Sequence, residues 1–224
     1  MTNILNLTQC SIDSIKIRIP LFELDTYDET ISRNIIEITE DTGEIDRLYK
    51  KTRKDYEFDC FKLTANIFEL KGTTYLFLLV NSKQLQHDYF KGITPETIKT
   101  IYALCIEANI MSCSYATFMQ GFVTDIDFKK DFLCILDEYQ QMNGGLYSMT
   151  KQSNKRDRGA NLFPKNMGLE FTSRNKASIT NPFTKVYHKE TELRENSYEF
   201  SDRYLKHIDF KDIIRIETTI KDKK

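Results

Sequence analysis

Apolar and polar residues alternate near the start of the chain: Ile15, Ile17 and Ile19 take every second position among Ser14, Lys16 and Arg18. That period of two predicts a half-buried strand, closed by Pro20, which has no N–H to give to a ladder. The same period predicts a hairpin over Asn34 to Lys50 around Glu40-Asp41-Thr42-Gly43, and a second from Tyr56 to Leu70 and Thr73 to Val80, turning at Lys71-Gly72. Thr94-Pro95-Glu96 predicts a helix start, with Thr94 as N-cap, Pro95 at the first helical position and Ile98, Ile101, Tyr102 and Cys105 on one face. Its end is expected near Asn109.

Phe118 to Phe128 returns to strand periodicity, and Phe132, Ile135, Leu136 and Tyr139 then have helical spacing up to Asn143-Gly144-Gly145, where the helix is expected to stop. Residues 151 to 167 show little period and are expected to form a mobile loop or a segment that orders on a partner. Short strands near Gly168 to Thr172 and Phe183 to His188, a polar helix over Glu190 to His207 and a strand over Ile213 to Ile220 complete the chain. The pattern predicts an α+β fold, an antiparallel sheet with flanking helices. It is read as one domain or as two βαβ halves, residues 1 to 142 and 143 to 224.

With 40% hydrophobic and 29% charged residues and few Gly or Pro, the 224-residue chain is expected to be globular and to bury an ordinary core. No run approaches the roughly 20 apolar residues of a membrane span, and Met1-Thr2-Asn3-Ile4-Leu5-Asn6 lacks a secretory pattern, so a cytoplasmic home without membrane contact is expected. The five cysteines are scattered, with no Cys-x-x-Cys, and read as reduced core residues; Cys113 is a weak candidate thiol nucleophile.

The net charge of -1 conceals an asymmetry: residues 143 to 224 hold 17 Lys or Arg against 11 Asp or Glu, and residues 1 to 142 hold 15 against 22. Lys155, Arg156, Arg158, Arg174, Lys176, Lys185 and Lys189 concentrate in the basic part, a composition suited to a phosphate backbone, because each neutralised phosphate releases counterions.

Three segments carry candidate chemistry. Alternation in Val123 to Asp131 puts Asp125 and Asp127 on one strand face, either as oxygen ligands for Mg²⁺ or Mn²⁺ or as a solvated face. In Ile213 to Ile220, Glu217 is a third oxygen ligand or half of a cross-strand ion pair. Tyr187 and Tyr204 are candidate nucleophiles toward a metal-bound phosphate, the alternative being packing. The chain has no phosphate-binding Gly-x-x-x-x-Gly-Lys-Ser/Thr loop, no His-Glu-x-x-His and no Gly-x-Ser-x-Gly, which removes nucleotide hydrolysis, zincin and α/β-hydrolase readings; it also has no His-x-His pair.

Ile12-Asp13-Ser14-Ile15-Lys16-Ile17-Arg18-Ile19-Pro20, Asp88-Tyr89-Phe90-Lys91-Gly92-Ile93-Thr94, Thr124-Asp125-Ile126-Asp127-Phe128-Lys129, Phe171-Thr172-Ser173-Arg174, Val186-Tyr187-His188-Lys189 and Arg215-Ile216-Glu217 follow one another across nearly the whole chain. In that order they resemble the replication initiation proteins of phages and plasmids that nick DNA for rolling-circle replication, most nearly those of phages of gut Bacteroidetes. The resemblance implies a split-βαβ nicking domain, Asp127 and Glu217 in metal-binding strands, a tyrosine nucleophile, a replication origin and host replication proteins as partners, and a further C-terminal domain in relatives. Plasmid relatives place a tyrosine before a Gly-Ser-Arg segment, where this chain has Glu170 in Leu169-Glu170-Phe171-Thr172-Ser173-Arg174. The resemblance therefore leaves the attack to Tyr187 or Tyr204, or implies a protein that binds its origin without cutting it.

Overall fold

Strand β1 (Ser11–Pro20) keeps the alternation its sequence sets, with Ile15, Ile17 and Ile19 buried and Ser14, Lys16 and Arg18 partly accessible. The structure, a computed structural model, describes residues 9–38, 45–152, 158–162, 167–173 and 183–221. Two units interleave along the chain: a smaller one of Lys16–Val80 and Pro95–Thr124, and a larger one of Met1–Ile15, Asn81–Thr94 and Asp125–Lys224. β1 gives its first half to the larger unit and its second half to the smaller.

The smaller unit holds β2 (Thr26–Tyr27), β3 (Arg33–Ile38), β4 (Ile45–Lys51), β5 (Arg53–Phe58), β6 (Phe61–Leu70), β7 (Thr73–Asn81, up to Val80), α1 (Ile98–Glu107), β8 (Met111–Ser112) and α2 (Tyr115–Met119). Its main sheet has the order β1-β7-β6-β5, with β5, β6 and β7 antiparallel. The predicted turn at Lys71-Gly72 is a two-residue hairpin loop with φ of 51° and 80°, the left-handed pair that matches the twist of its strands. Asp59, at φ 27°, divides the predicted long strand from Tyr56 into β5 and β6. β3 and β4 pair as predicted, although the turn between them lies outside the described residues. Leu63, Leu76 and Leu78 are fully buried, each contributing about 2 kcal/mol by leaving water. α1 buries Ile98, Ile101 and Cys105, as their spacing requires, but starts after Thr97, three residues later than predicted. Phe118 belongs to α2 and not to a strand.

The larger unit holds β9 (Phe122–Leu133, from Asp125), α3 (Leu136–Gln152), β10 (Arg158–Leu162), β11 (Gly168–Ser173), β12 (Phe183–His188), α4 (Lys189–Asn196) and β13 (Ile213–Lys221), with strand order β10-β11-β12-β13-β9-β1. Successive pairs from β10 to β9 are antiparallel. β9 and β10, joined through α3, consequently run parallel with three strands between them, a split βαβ arrangement in an α+β fold.

Two boundaries differ from expectation. β9 runs on through Phe132 and Leu133, because Asp131, Phe132 and Leu133 pair with Arg215, Ile214 and Ile213; tertiary pairing overrides the helical spacing of Phe132. α3 runs through Gly144-Gly145 because its apolar side is anchored, with Tyr139 packed on Val186 and Ile214 beside Leu136, Phe171 and Ile216. Within the expected loop, residues 158–162 form β10. The predicted helix over 190–207 breaks at Ser197 into α4, a short turn and a π-helical segment Ser201–Leu205. No helix among the described residues is long and apolar enough to cross a membrane.

Candidate active site in a buried charge network

α3 covers the Ile214 and Ile216 side of the larger sheet, and strand alternation sends Arg215 and Glu217 to the other side. There the register aligns charges across strands: Glu170, Lys185, Glu217 and Lys129 form one row, and Gly168, Tyr187, Arg215 and Asp131 the next. Alternating signs along the first row offset the repulsion that adjacent like charges would create.

Arg215 is fully buried, and its planar fork is matched on two sides. Its Nε and Nη2 donate to the two oxygens of Asp131 at 2.7 and 2.9 Å, and Nη1 donates to Asp13 Oδ1 at 2.9 Å and to the Tyr89 hydroxyl at 3.1 Å. Asp13 Oδ1 also meets Lys129 Nζ at 3.0 Å and accepts from Ser82 Oγ at 2.7 Å. Ser82 and Tyr89 come from the helical stretch Ser82–Lys91, which Asn81 opens with a reciprocal capping box through Gln84. The Tyr89 ring is 1% exposed and lies under three cations, Lys129 Nζ at 4.8 Å, Lys189 Nζ at 5.2 Å and Arg215 Cζ at 5.2 Å. Such ring faces attract cations most strongly when water is excluded.

The titrations follow from burial and neighbours. Burial pushes the Lys129 ammonium down to about 8, helped by the charge of Arg215 and opposed by Asp13 and Asp131. Burial and Arg215 also lower Lys189. Burial alone would raise Asp13, but Lys129 and Arg215 reverse this and hold it well below the usual carboxylate range. Glu217 is raised, by burial first and then by the charge of Asp13, with Asp127 adding to it.

Tyr187, 9% exposed, donates its hydroxyl to Glu217 Oε2 at 2.8 Å. Burial raises its pKa, and Arg215 opposes the rise. Tyr204 lies apart on the π-helical segment, its ring edge-on to His87 at 5.4 Å, and its carbonyl accepts from His87 Nδ1 at 2.9 Å. The structure thus brings Tyr187 and Glu217 together and leaves Tyr204 outside the network.

The predicted carboxylate trio separates. Asp127 pairs in register with Thr219, two positions along from the Glu217–Lys129 pair, and accepts from Ser14 Oγ. Asp125 pairs with Lys221, two positions further, so it does not join Glu217. Among the described residues no group of three or more His, Cys, Asp or Glu is arranged to hold a metal ion.

Of the predicted phosphate-gripping residues, Lys185 is half-buried beside Glu217. Lys189 is not a surface residue: it is 3% exposed, paired with Glu192 at 2.5 Å and set over the Tyr89 and Tyr187 rings. Lys155, Arg156, Arg174 and Lys176 lie outside the described residues, as does the side chain of Arg158. Cys113 is buried, and burial raises its pKa, which disfavours a reactive thiolate.

No protein-family model matches the chain, and a search of curated proteins finds no similar sequence.

Proposed function

We propose that the chain is a replication initiation protein of a phage or plasmid, which nicks DNA at an origin and holds the cut strand through a phosphotyrosine. The observation that carries this reading is the 2.8 Å hydrogen bond from the Tyr187 hydroxyl to Glu217 Oε2, within a network rich in buried cations. Glu217, raised above its ordinary value, is the stronger base for it. It takes the Tyr187 proton, the phenolate oxygen forms a bond to phosphorus, and the bond to the 3′ oxygen breaks. That oxygen leaves as a hydroxyl after taking up a proton, and the 5′ phosphate stays on Tyr187. Reversal rejoins the strand without an external energy source. Asp127 and Glu217 would hold Mg²⁺ or Mn²⁺, which when bound polarises the scissile phosphate. Lys185 faces the backbone from the same row.

A supercoiled plasmid carrying the origin is expected to be nicked only with divalent metal, leaving protein on a 5′ end; Tyr187→Phe loses the adduct and Tyr204→Phe keeps it. Intact supercoils under both metals would overturn the reading.

A second reading, a DNA-binding regulator that does not cut, is favoured by the burial of Tyr187 and by Glu170 standing where plasmid relatives have a tyrosine. Origin binding without nicking, insensitive to Asp127→Asn, supports it.

A further inference from the structure

Lys189 opens α4 directly after β12, so the strand that carries Tyr187 also sets where this ammonium goes. It goes inward, and the side chain is 3% exposed at its solvent side. Its Nζ lies 5.2 Å from the centroid of the Tyr89 ring and 5.3 Å from that of Tyr187, and Glu192 Oε2, one helical turn on, accepts from it at 2.5 Å. The Tyr89 ring is fixed on every side: its hydroxyl accepts from Arg215 Nη1, and its ring meets Phe90 at 5.1 Å and Phe200 at 5.4 Å. An ammonium held between this ring and that of Tyr187 therefore ties the second to the first. Tyr187 is gripped at two points, the ring by Lys189 and the hydroxyl by Glu217 Oε2.

Two simpler roles fit this lysine poorly. A residue that grips a phosphate has to meet it, and Lys189 is shut away from solvent. A pair with Glu192 at i, i+3 needs no burial, and burying an ammonium is unfavourable, as the lowered pKa of Lys189 records. A methionine of similar length would fill the space between the rings without that cost. What the charge adds is attraction for two ring faces, which grows where water is excluded and which an apolar side chain lacks.

We infer that Lys189 is a positioning residue for Tyr187: set between the Tyr89 and Tyr187 rings, it fixes the ring whose hydroxyl attacks the scissile phosphate. Reaction rates fall steeply when an attacking atom is displaced by even about 1 Å, so a nucleophile gains from being held at both ends. The role in nicking rests on the nucleophile proposed above; the clamp itself does not.

Lys189→Met tests this with two readouts. In single-turnover nicking of an origin plasmid at saturating protein, the rate is expected to fall about ten- to hundredfold, while affinity for the origin duplex and its salt dependence stay as in the parent. Lys189→Arg, which keeps a cation between the rings, is expected to recover most of that rate. The second readout needs neither DNA nor metal: tetranitromethane nitration, read peptide by peptide by mass spectrometry, is expected to rise severalfold at Tyr187 in Lys189→Met and to stay constant at Tyr204, which lies outside the network. Glu192, whose side chain is 29% exposed, keeps contact with water when the lysine is gone, so the variant is expected to melt no lower than the parent. Should it fail to fold, Glu192→Gln unties the ammonium without removing it, and both readouts are expected to move the same way. A salt slope reduced by about 0.9, the mark of a lost phosphate contact, overturns the inference, as does an unchanged nicking rate or unchanged nitration of Tyr187. A parent that does not nick defeats the function proposed above and leaves nitration to decide the clamp.

Discussion

Asp131 receives two parallel hydrogen bonds from Arg215, at 2.7 and 2.9 Å, with the carboxylate 6% and the guanidinium 0% exposed. Removing one member leaves the other as a buried charge, so Arg215→Met and Asp131→Asn are each expected to lower stability by about 3–5 kcal/mol in urea unfolding. Asp131→Leu combined with Arg215→Met should cost much less than the two single changes added together, because no charge is stranded. Losses that simply add would mean that the two side chains are not coupled.

Tyr89 separates two contributions that one substitution would merge. Tyr89→Phe removes only the hydroxyl that accepts from Arg215, and about 1 kcal/mol is expected to be lost. Tyr89→Leu also removes the ring beneath Lys129, Lys189 and Arg215, and a loss of about 3 kcal/mol or more is expected. Thermal melts of both variants decide whether ring or hydroxyl dominates.

Stability should depend on pH at both ends of the scale. Asp13 is depressed in the folded protein, so the stability it contributes is present above the ordinary carboxylate value of 3.8 and is lost as pH falls toward its folded value. Lys129 is depressed from 10.5 to about 8, so between those values the unfolded chain binds more protons and stability rises with pH. Urea midpoints measured across pH are expected to lose the acid slope in Asp13→Asn and the rise between pH 8 and 10 in Lys129→Met.

Glu217 has the opposite sign. Its raised pKa means that at neutral pH the carboxylate opposes folding, so Glu217→Gln is expected to melt no lower than the parent protein while nicking falls about 10²- to 10⁴-fold. Mg²⁺ is expected to raise the melting temperature of the parent and not of the variant.

Two glycines should respond in opposite directions. Gly145, inside α3, has nothing within 4 Å of an added Cβ, and Gly145→Ala is expected to stabilise by about 0.5–1 kcal/mol. Gly92 sits at φ 74° with Ser11 Oγ 2.7 Å and the Ile12 carbonyl 2.8 Å from such an atom, so Gly92→Ala is expected to destabilise by more than about 1 kcal/mol. Paired denaturation curves test both.

Much of the sheet was legible because strands announce themselves locally: the alternation of Ile15, Ile17 and Ile19 and of Ile214, Arg215, Ile216 and Glu217 marks β1 and β13 directly. The end of β9 was not, because Phe132 fits a helical spacing and only its pairing with Ile214, far along the chain, holds it extended. Tyr187 and Glu217 were singled out from their strands, but nothing local says that they touch. Lys129 and Asp131 give no local sign of burial, which partners remote in sequence impose, while Asp13, although in the same alternating set as Ile15, Ile17 and Ile19, shows nothing in its own segment of the cations that pair with it. Tyr89 stood in a quoted segment, yet among 12 tyrosines no local signal marks the one that lies beneath three cations.

The hydrogen bond between Arg215 and Asp13 joins residues 202 positions apart. During synthesis Asp13 and Asp131 emerge before β13, so a ribosome that stalls before Arg215 releases a chain in which Asp131 lacks this counter-ion and Asp13 keeps Lys129 without Arg215. Such a fragment cannot close the network, and unclosed chains are exposed to proteolysis that the complete fold resists.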